Sequence, residues 1–495
     1  KQKYFDLLPD TSYLKDLYKK LLSMTPSAER DGLENKINSQ MKPGTIDVNI
    51  MVKLDVLNFD KMGNSLAEEF SDAKAALRGY ANSMLESGVV FSAGINQKLY
   101  SYMEKFQDFY RDATGNTKKK IILKVSDFRS AMIQGRFLAK KGLEVHEFRI
   151  ESGLNCGGHA FPSDGILLPK ILQEFKNNKH LLAKKFRPFV KKYYEKMNWE
   201  YPQETENSAP LITVQGGIGT HGELRRLTED FDADCTGWAT PFLLVPETTS
   251  LDQETFDLLK DSSAEDLYTS PSSPLNVPFN NIRGSGSEKD RRLRIEKGKP
   301  GSPCRQGFLK LNTEFTKQPI CTASIQYQKL KLAEIEEMPI SNDEKNSLKE
   351  KVLQKSCICH HLGNGTRMKL GITKKAPQAI CPGPNLQWFN REFSLQEMTH
   401  HIQGQMDSVV SKERPHMFLA EVQIYVNYFE EEVKNCSGTE SEIKRLTKIR
   451  KNLLESMDFC IEIANKKPYP QENLDSIKIG IPKEKERLEK LYKKI

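Results

Sequence analysis

The sequence predicts an α/β fold built on a parallel sheet, followed by a mainly helical C-terminal region. Three observations carry this reading. Strand-like runs alternate with helix-like runs between residues 47 and 245, and strands separated by helices of that length pair in parallel. Two glycine-pair turns, Cys156-Gly157-Gly158-His159 and Gln215-Gly216-Gly217-Ile218, stand where a strand-like run gives way to a helix-like one. From 393 to 495 the pattern is helical throughout, broken only near Pro468 and Pro470.

Element by element, residues 1–42 read as charged, amphipathic helices. A strand follows over 47–54, a helix over 71–84, a short β-rich run over 89–93 and a helix over 96–110. The run 120–125 is a third strand, and Asp127 can cap a helix reaching Leu138. Strands over 145–150 and 210–214 enclose a long helical region, 166–197, and a helix starts near Thr220. The run 234–245 supplies the sixth strand. An eight-stranded (β/α)8 barrel needs two more, which would lie upstream of Lys1 unless the sheet is open. The α/β domain therefore spans 43–250. Residues 251–303, rich in Ser, Pro, Asn and Gly, read as a lid or long loop. A cysteine-containing region covers 304–390, and a helical domain 391–495.

Composition is globular, with 38% hydrophobic and 28% charged residues. No apolar run approaches the ~18–20 residues of a membrane span, and the opening segment has no signal-peptide pattern. The net charge of +8 is mild for 495 residues. The basic residues sit in charge-mixed helices without interleaved aromatic stacking positions, so no nucleic-acid partner is expected. Nine cysteines at low density fit a reducing, cytoplasmic setting without disulfides.

The glycine turns hold the richest functional information. Glycine lets backbone approach a ligand with no Cβ in the way. Turns entering helix N-termini present N–H groups to an anion. His159 adds the side chain best suited to proton transfer near neutral pH.

In these turns the chain resembles the FMN-dependent TIM-barrel enzymes of the nitronate monooxygenase (2-nitropropane dioxygenase) family. That family's sixth strand ends in a glycine-pair-histidine turn, matched by Gly157-Gly158-His159. Its seventh ends in a Gly-Gly-Ile turn, matched by Gly216-Gly217-Ile218. Its eighth ends in a Gly-x-x-(Thr/Ser)-x-Phe turn, matched by Gly237, Thr240 and Phe242, and the lysine-bearing end of its fifth strand is matched by Lys124. The resemblance covers residues 45–250, about two-fifths of the chain. It implies FMN at the C-terminal ends of the strands. Its phosphate would lie on Gly216, Gly217, Gly237 and Thr240, with Gln215, Gly157 and Gly158 beside the cofactor. Lys124 would lie near the polar edge of the ring, and His159 would act as acid/base toward a small-molecule substrate. The departures are Cys156 for the usual alanine, Asn155 where an acidic residue is frequent, and the bulky Trp238 near the phosphate turn. His221 is a further side chain within reach of a phosphate.

Five cysteines crowd one region: Cys304, Cys321, Cys357, Cys359 and Cys381. Four of them adjoin Pro or Gly or form a Cys-x-Cys, settings typical of metal or iron–sulfur ligation. His360 and His361 add candidate zinc ligands. No Cys-x-x-Cys exists, so buried reduced thiols are the competing reading. The adjacent His400 and His401 project about 100° apart on a helix and make a poor bidentate ligand.

The leading expectation is thus an FMN-dependent oxidoreductase of nitronate monooxygenase type. Two alternatives stand beside it. One is a flavin enzyme with an iron–sulfur relay, as in glutamate synthases or enoyl reductases. The other is a non-catalytic barrel scaffold whose C-terminal helices bind a partner protein or a second copy of the chain.

Overall fold

Alternating strands and helices appear in the order the periodicity dictates. The computed structural model describes residues 1–50, 55–92, 94–155, 165–202 and 209–495. The chain opens with three helices, α1 (Gln2–Asp6), α2 (Tyr13–Ser23) and α3 (Ala28–Gln40). Ser12 and Ser27 cap the second and third by accepting from the N–H groups of Lys15 and Arg30. Phe5, Leu21 and Ile37 close a small core of their own between them.

The sheet follows. Its strands are β1 (Val48–Ile50), β2 (Ser87–Phe91), β3 (Lys119–Val125), β4 (Val145–Glu151), β5 (Leu211–Gln215) and β6 (Cys235–Gly237). Every neighbouring pair is parallel, and the spatial order is the chain order. The connections carry α4 (Asp72–Ala81), α5 (Gln97–Tyr102), α6 (Phe128–Ala139), α7 (Leu168–Lys196) and α8 (His221–Arg225). Right-handed crossovers in a sheet of this order place the connecting helices on one face. Burial agrees with that geometry. Val89, Phe91, Ile121, Leu123, Phe148, Ile150 and Val214 are fully buried, while the alternate positions on the last strands are Lys124, Arg149, Glu151 and Gln215. One face is a hydrophobic core and the other is polar. β1 and β6 are the two edges, and nothing among the described residues joins them.

The expected helix over 96–110 is shorter. It ends at Tyr102 and continues as two 3-10 turns, Met103–Lys105 and Gln107–Phe109. Phe106, extended at φ −119°, separates the turns. This break lets Tyr100, Met103 and Phe109 all enter the core, which an uninterrupted 3.6-residue period would not do.

Residues 251–303 are not the expected lid or long loop. They form α9 (Gln253–Lys260), an antiparallel hairpin of β7 (Leu267–Ser270) and β8 (Phe279–Ile282), and α10 (Gly286–Glu296). The polar residues that suggested a loop are in part the caps of these elements. Asp252 accepts from Thr255 and Ser285 from Glu288. Beyond them come α11 (Ile325–Glu337), α12 (Asn342–Leu353), α13 (Ile358–Lys369) and α14 (Leu395–Gln403).

The C-terminal helices α15 (Met417–Lys434), α16 (Glu440–Ala464) and α17 (Leu474–Tyr492) share one continuous core with the sheet domain. Buried polar side chains fasten the two, and one of them serves α7. α7 has no cap of its own, and Glu421 of α15 supplies one by accepting from the N–H groups of Leu168 (2.9 Å) and Gly153 (3.0 Å) and from the Ser152 hydroxyl (3.1 Å). Burial pushes this carboxyl's pKa up. Among the described residues, no helix is long and apolar enough to cross a membrane.

Candidate cofactor site

A cavity of about 410 Å³ opens at the C-terminal ends of β3 to β6, with Asn49 of β1 and Val90 of β2 also on its wall. Strand alternation builds it. In parallel register Lys124 pairs with Arg149, Glu151 with Gln215 and Gln215 with Gly237, so these positions share the polar face. Lys124, Gln215, Gly216, Gly217, Gly237 and Thr240 all line the cavity, joined by Arg149, Glu151, Asn155 and Asn385. The sequence-predicted cofactor residues that lie within the described chain therefore converge. Gly157, Gly158 and His159 lie outside the described residues, as does Cys156; Asn155, immediately before them, is on the cavity wall. A larger cleft of about 810 Å³ lies between the β7–β8 hairpin and α15. Gly153, just past β4, and the charged Lys355, Glu431 and Glu432 line it, but none of the cofactor residues predicted within the described chain does.

The charges on the polar face are matched internally. Lys124 Nζ lies 3.1 Å from Glu151, whose carboxylate also accepts from Gln215 Nε2 (2.7 Å) and Asn155 Nδ2 (2.6 Å). Arg149 reaches Glu147 at 2.5 Å and Asp47 at 3.1 Å. The lysine expected near the polar edge of a ring is thus paired with a carboxylate.

The second glycine turn requires its glycines. Gly216 and Gly217 sit at φ +100° and +79°, a region that L side chains rarely enter. A Cβ on Gly216 would stand 2.9 Å from Asn155 Cα, and one on Gly217 2.3 Å from Leu154 Cδ1. The turn after β5 therefore packs directly on the Asn155 backbone and the Leu154 side chain of the turn after β4.

A buried polar lattice from the C-terminal half holds this turn from behind. Arg414 donates to the Gly217 carbonyl (2.6 Å), to Glu223 (2.7 Å) and to Asn385 Oδ1 (2.9 Å). Asn385 Nδ2 donates to the Ile218 carbonyl at 3.1 Å. His401 Nε2 donates to the Gly219 carbonyl at 3.0 Å, and its Nδ1 accepts from the Val409 N–H at 3.4 Å. Burial pushes the His401 pKa down to about 4, so the imidazole is neutral and can fill both roles. Burial also pushes the Glu223 carboxyl up, but the Arg414 and His416 charges outweigh it and hold the group below the ordinary carboxylate value. Because a trans peptide points its N–H opposite its C=O, fixing the Gly217 carbonyl on Arg414 turns the Ile218 N–H away from Arg414.

Thr240 is buried on the cavity wall, and the turn Cys381–Pro384 presses on it: a Cβ on Gly383 would lie 2.4 Å from Thr240 Oγ1 and 3.0 Å from the Leu154 carbonyl. One expectation changes here. His221 does not turn to a phosphate. Its Nδ1 bonds the Ile402 carbonyl at 3.0 Å and its ring packs on Gly404. Trp238 lines the cavity, and its indole N–H bonds Thr236 Oγ1 at 3.2 Å. His400 and His401 are spent on backbone carbonyls, those of Asp6 and Gly219.

Sequence reasoning missed Arg149, Glu151, Asn385 and Arg414. The first two had a readable signal, since Glu147, Arg149 and Glu151 put charge on every second position of a strand. Asn385 and Arg414 had none, because their partners on the glycine turn are more than 160 positions away.

Of the five cysteines expected as ligands, Cys304, Cys321, Cys357 and Cys359 are neighbours, whereas Cys381 packs instead with Phe279 and Ile358. His361 is held by Ser287 Oγ at 2.8 Å. Among the described residues, no group of three or more His, Cys, Asp or Glu side chains is placed to hold a metal ion. In comparisons with known proteins, the chain matches no family model and no curated protein.

Proposed function

We propose that this chain is an FMN-dependent oxidoreductase of nitronate monooxygenase type, on a (β/α)8-type domain of which six strands are described. The observation that carries the reading is convergence. Six residues chosen from the ends of three strands and the turns after them line one cavity, at the position where parallel α/β domains bind ligands. Its volume lies within the ~300–1,000 Å³ of cofactor pockets.

The residues present suit FMN. Gly216, Gly217 and Gly237 keep side chains out of the wall on which a phosphate would rest, and the Thr240 hydroxyl adds a donor. Lys124, steadied by Glu151, gives a fixed positive group on the floor. Arg149, Gln215 and Asn155 offer further polar atoms to orient a ring or substrate. When bound, FMN supplies two-electron oxidation of an activated carbon and passes the electrons to oxygen or another acceptor. The protein's own proton-transfer group is His159, four residues beyond Asn155 on the wall.

Oxygen uptake with an alkyl nitronate tests the reading. The wild-type chain should turn over, and His159→Ala should lose turnover while keeping its flavin. Near-normal turnover in that variant would remove His159 from the chemistry. A wild-type chain that binds no flavin would favour the scaffold reading.

A further inference from the structure

The larger cleft, of about 810 Å³, takes no part in the flavin site and is built differently. One wall is β7. Leu267, Tyr268, Thr269, Ser270 and Pro271 line it without a gap, as a strand does when met along its edge; a strand met by its face shows alternate residues only. The opposite wall is one stripe of α15, on which Ile424, Asn427, Tyr428, Glu431, Glu432 and Asn435 recur at helical spacing.

The hairpin ladder fixes which backbone groups face this groove. Leu267 is opposite Ile282 and Thr269 opposite Asn280. The Arg283 N–H donates to the Asp266 carbonyl at 2.9 Å, so these two occupy a hydrogen-bonded position of the ladder. Bonded and non-bonded positions alternate in an antiparallel pair. Leu267 and Thr269 therefore turn their N–H and C=O groups away from β8, and no further strand meets them among the described residues. The outer edge of β8 is already occupied at Ile282, whose N–H bonds Asn281 Oδ1 at 2.9 Å and whose carbonyl accepts from the Ser285 N–H at 3.3 Å. Two side chains of the groove also lack a natural partner. Asn280 Nδ2 is shielded from water and has no hydrogen-bond partner among the described residues. Lys355 Nζ donates to the Pro271 and Ser273 carbonyls at 2.8 and 3.1 Å; an ammonium carries three N–H groups, and no carboxylate of the described chain pairs with it. Glu431 and Glu432, by contrast, are already matched by Lys434 and Arg445.

We propose that this groove binds an extended, acidic peptide segment of a partner protein as a third strand on the outer edge of β7, with a carboxylate of the segment against Lys355. Main-chain bonds to Leu267 and Thr269 provide the pairing, and alternate side chains of the segment rest on the α15 stripe. From Ile424 to Asn435 the stripe runs about 16 Å at helical rise, which matches about five residues of extended chain. Lys355 sets the sign of the segment's charge, since it is the cation of the groove that no carboxylate of this chain neutralises. Asn280 Nδ2 gives an additional donor for an oxygen of the segment. Peptide binding here is independent of flavin binding in the smaller cavity.

A phage-displayed library of random peptides of about seven residues, panned on the immobilised full chain, should enrich sequences with β-branched residues and an Asp or Glu. A synthetic peptide of the enriched sequence is then titrated by fluorescence anisotropy. N-methylation of its amides should weaken binding about tenfold at alternate residues and leave it nearly unchanged between them, because only one edge of an added strand faces β7. Thr269→Pro should weaken binding similarly, since proline removes an outward N–H and leaves the ladder to β8 in place. Lys355→Met should erase the preference for the acidic peptide over its acid-to-amide version. Should either variant fold poorly, the N-methyl series on the wild-type chain decides the question. Binding indifferent to the position of N-methylation would make the groove a site for a small carboxylate. Self-association of the chain that Thr269→Pro abolishes would make a second copy the occupant. Either result, or a library that enriches no peptide, would overturn the proposal.

Discussion

Thr240 and Lys124 do different work on the cavity wall, and single substitutions should separate them. Thr240→Val keeps the volume and removes only the hydroxyl. Losing one hydrogen bond to a charged phosphate, worth roughly 1.5–3 kcal/mol, should weaken FMN binding at least tenfold by titration. Lys124→Met should leave phosphate binding nearly intact and should shift the flavin potential downward, because the positive group paired with Glu151 would be gone. His401 gives a pH prediction. Its folded pKa is about 4 against an ordinary 6.5. Between those values the unfolded chain takes up a proton that the folded chain refuses, so stability is present above pH 6.5 and is lost as pH falls toward 4. Up to about 3 kcal/mol is at stake. Urea unfolding should show His401→Gln closing much of its stability gap to wild type as pH is lowered from 7 to 4.5. A constant gap would mean that the imidazole is not held neutral.

At the scale of elements, the turn after β5 is shaped by residues far away in the chain. Arg414→Ala would leave Glu223 buried without its cation and release the Gly217 carbonyl. Breaking a buried pair in this way costs about 3–5 kcal/mol, and loss of flavin should accompany the fall in unfolding free energy. Glu421 tests the junction of the bundle with the sheet. Glu421→Ala strands the N–H groups of Leu168 and Gly153, at about 1–3 kcal/mol for buried unsatisfied donors, and hydrogen exchange should rise first in the first turn of α7. Most strands and connecting helices were legible because each carries its own period, and some their own cap, as Asp127 does for α6; of the run 234–245, however, only Cys235–Gly237 is strand, and Thr240–Leu244 turns into a 3-10 helix after it. Residues 251–303 were not, because serine and asparagine serve helix caps and hairpins as readily as loops. The convergence of Lys124, Gln215 and the glycine turns was legible from their places at strand ends. Arg414, Asn385 and Glu421 were illegible because a buried polar side chain is chosen by a partner that only the tertiary fold brings near.

On the scale of the whole molecule, the second half of the chain is more than an appendage. It caps α7 through Glu421, braces the glycine turn through Arg414 and His401, and seats Gly383 on Thr240. Among the described residues β1 and β6 are not joined, and these contacts from the second half of the chain hold the C-terminal strand ends from outside the sheet. The central claim is that this braced cavity is a flavin site. The most direct test is flavin content: absorbance near the ~450 nm flavin band and heat-released FMN, for the full chain and for Thr240→Val, after saturation with FMN and gel filtration. The account predicts a yellow wild-type protein with close to one FMN per chain and a clearly lower content in the variant. A colourless wild-type protein that takes up no FMN, or equal retention by both, would contradict it.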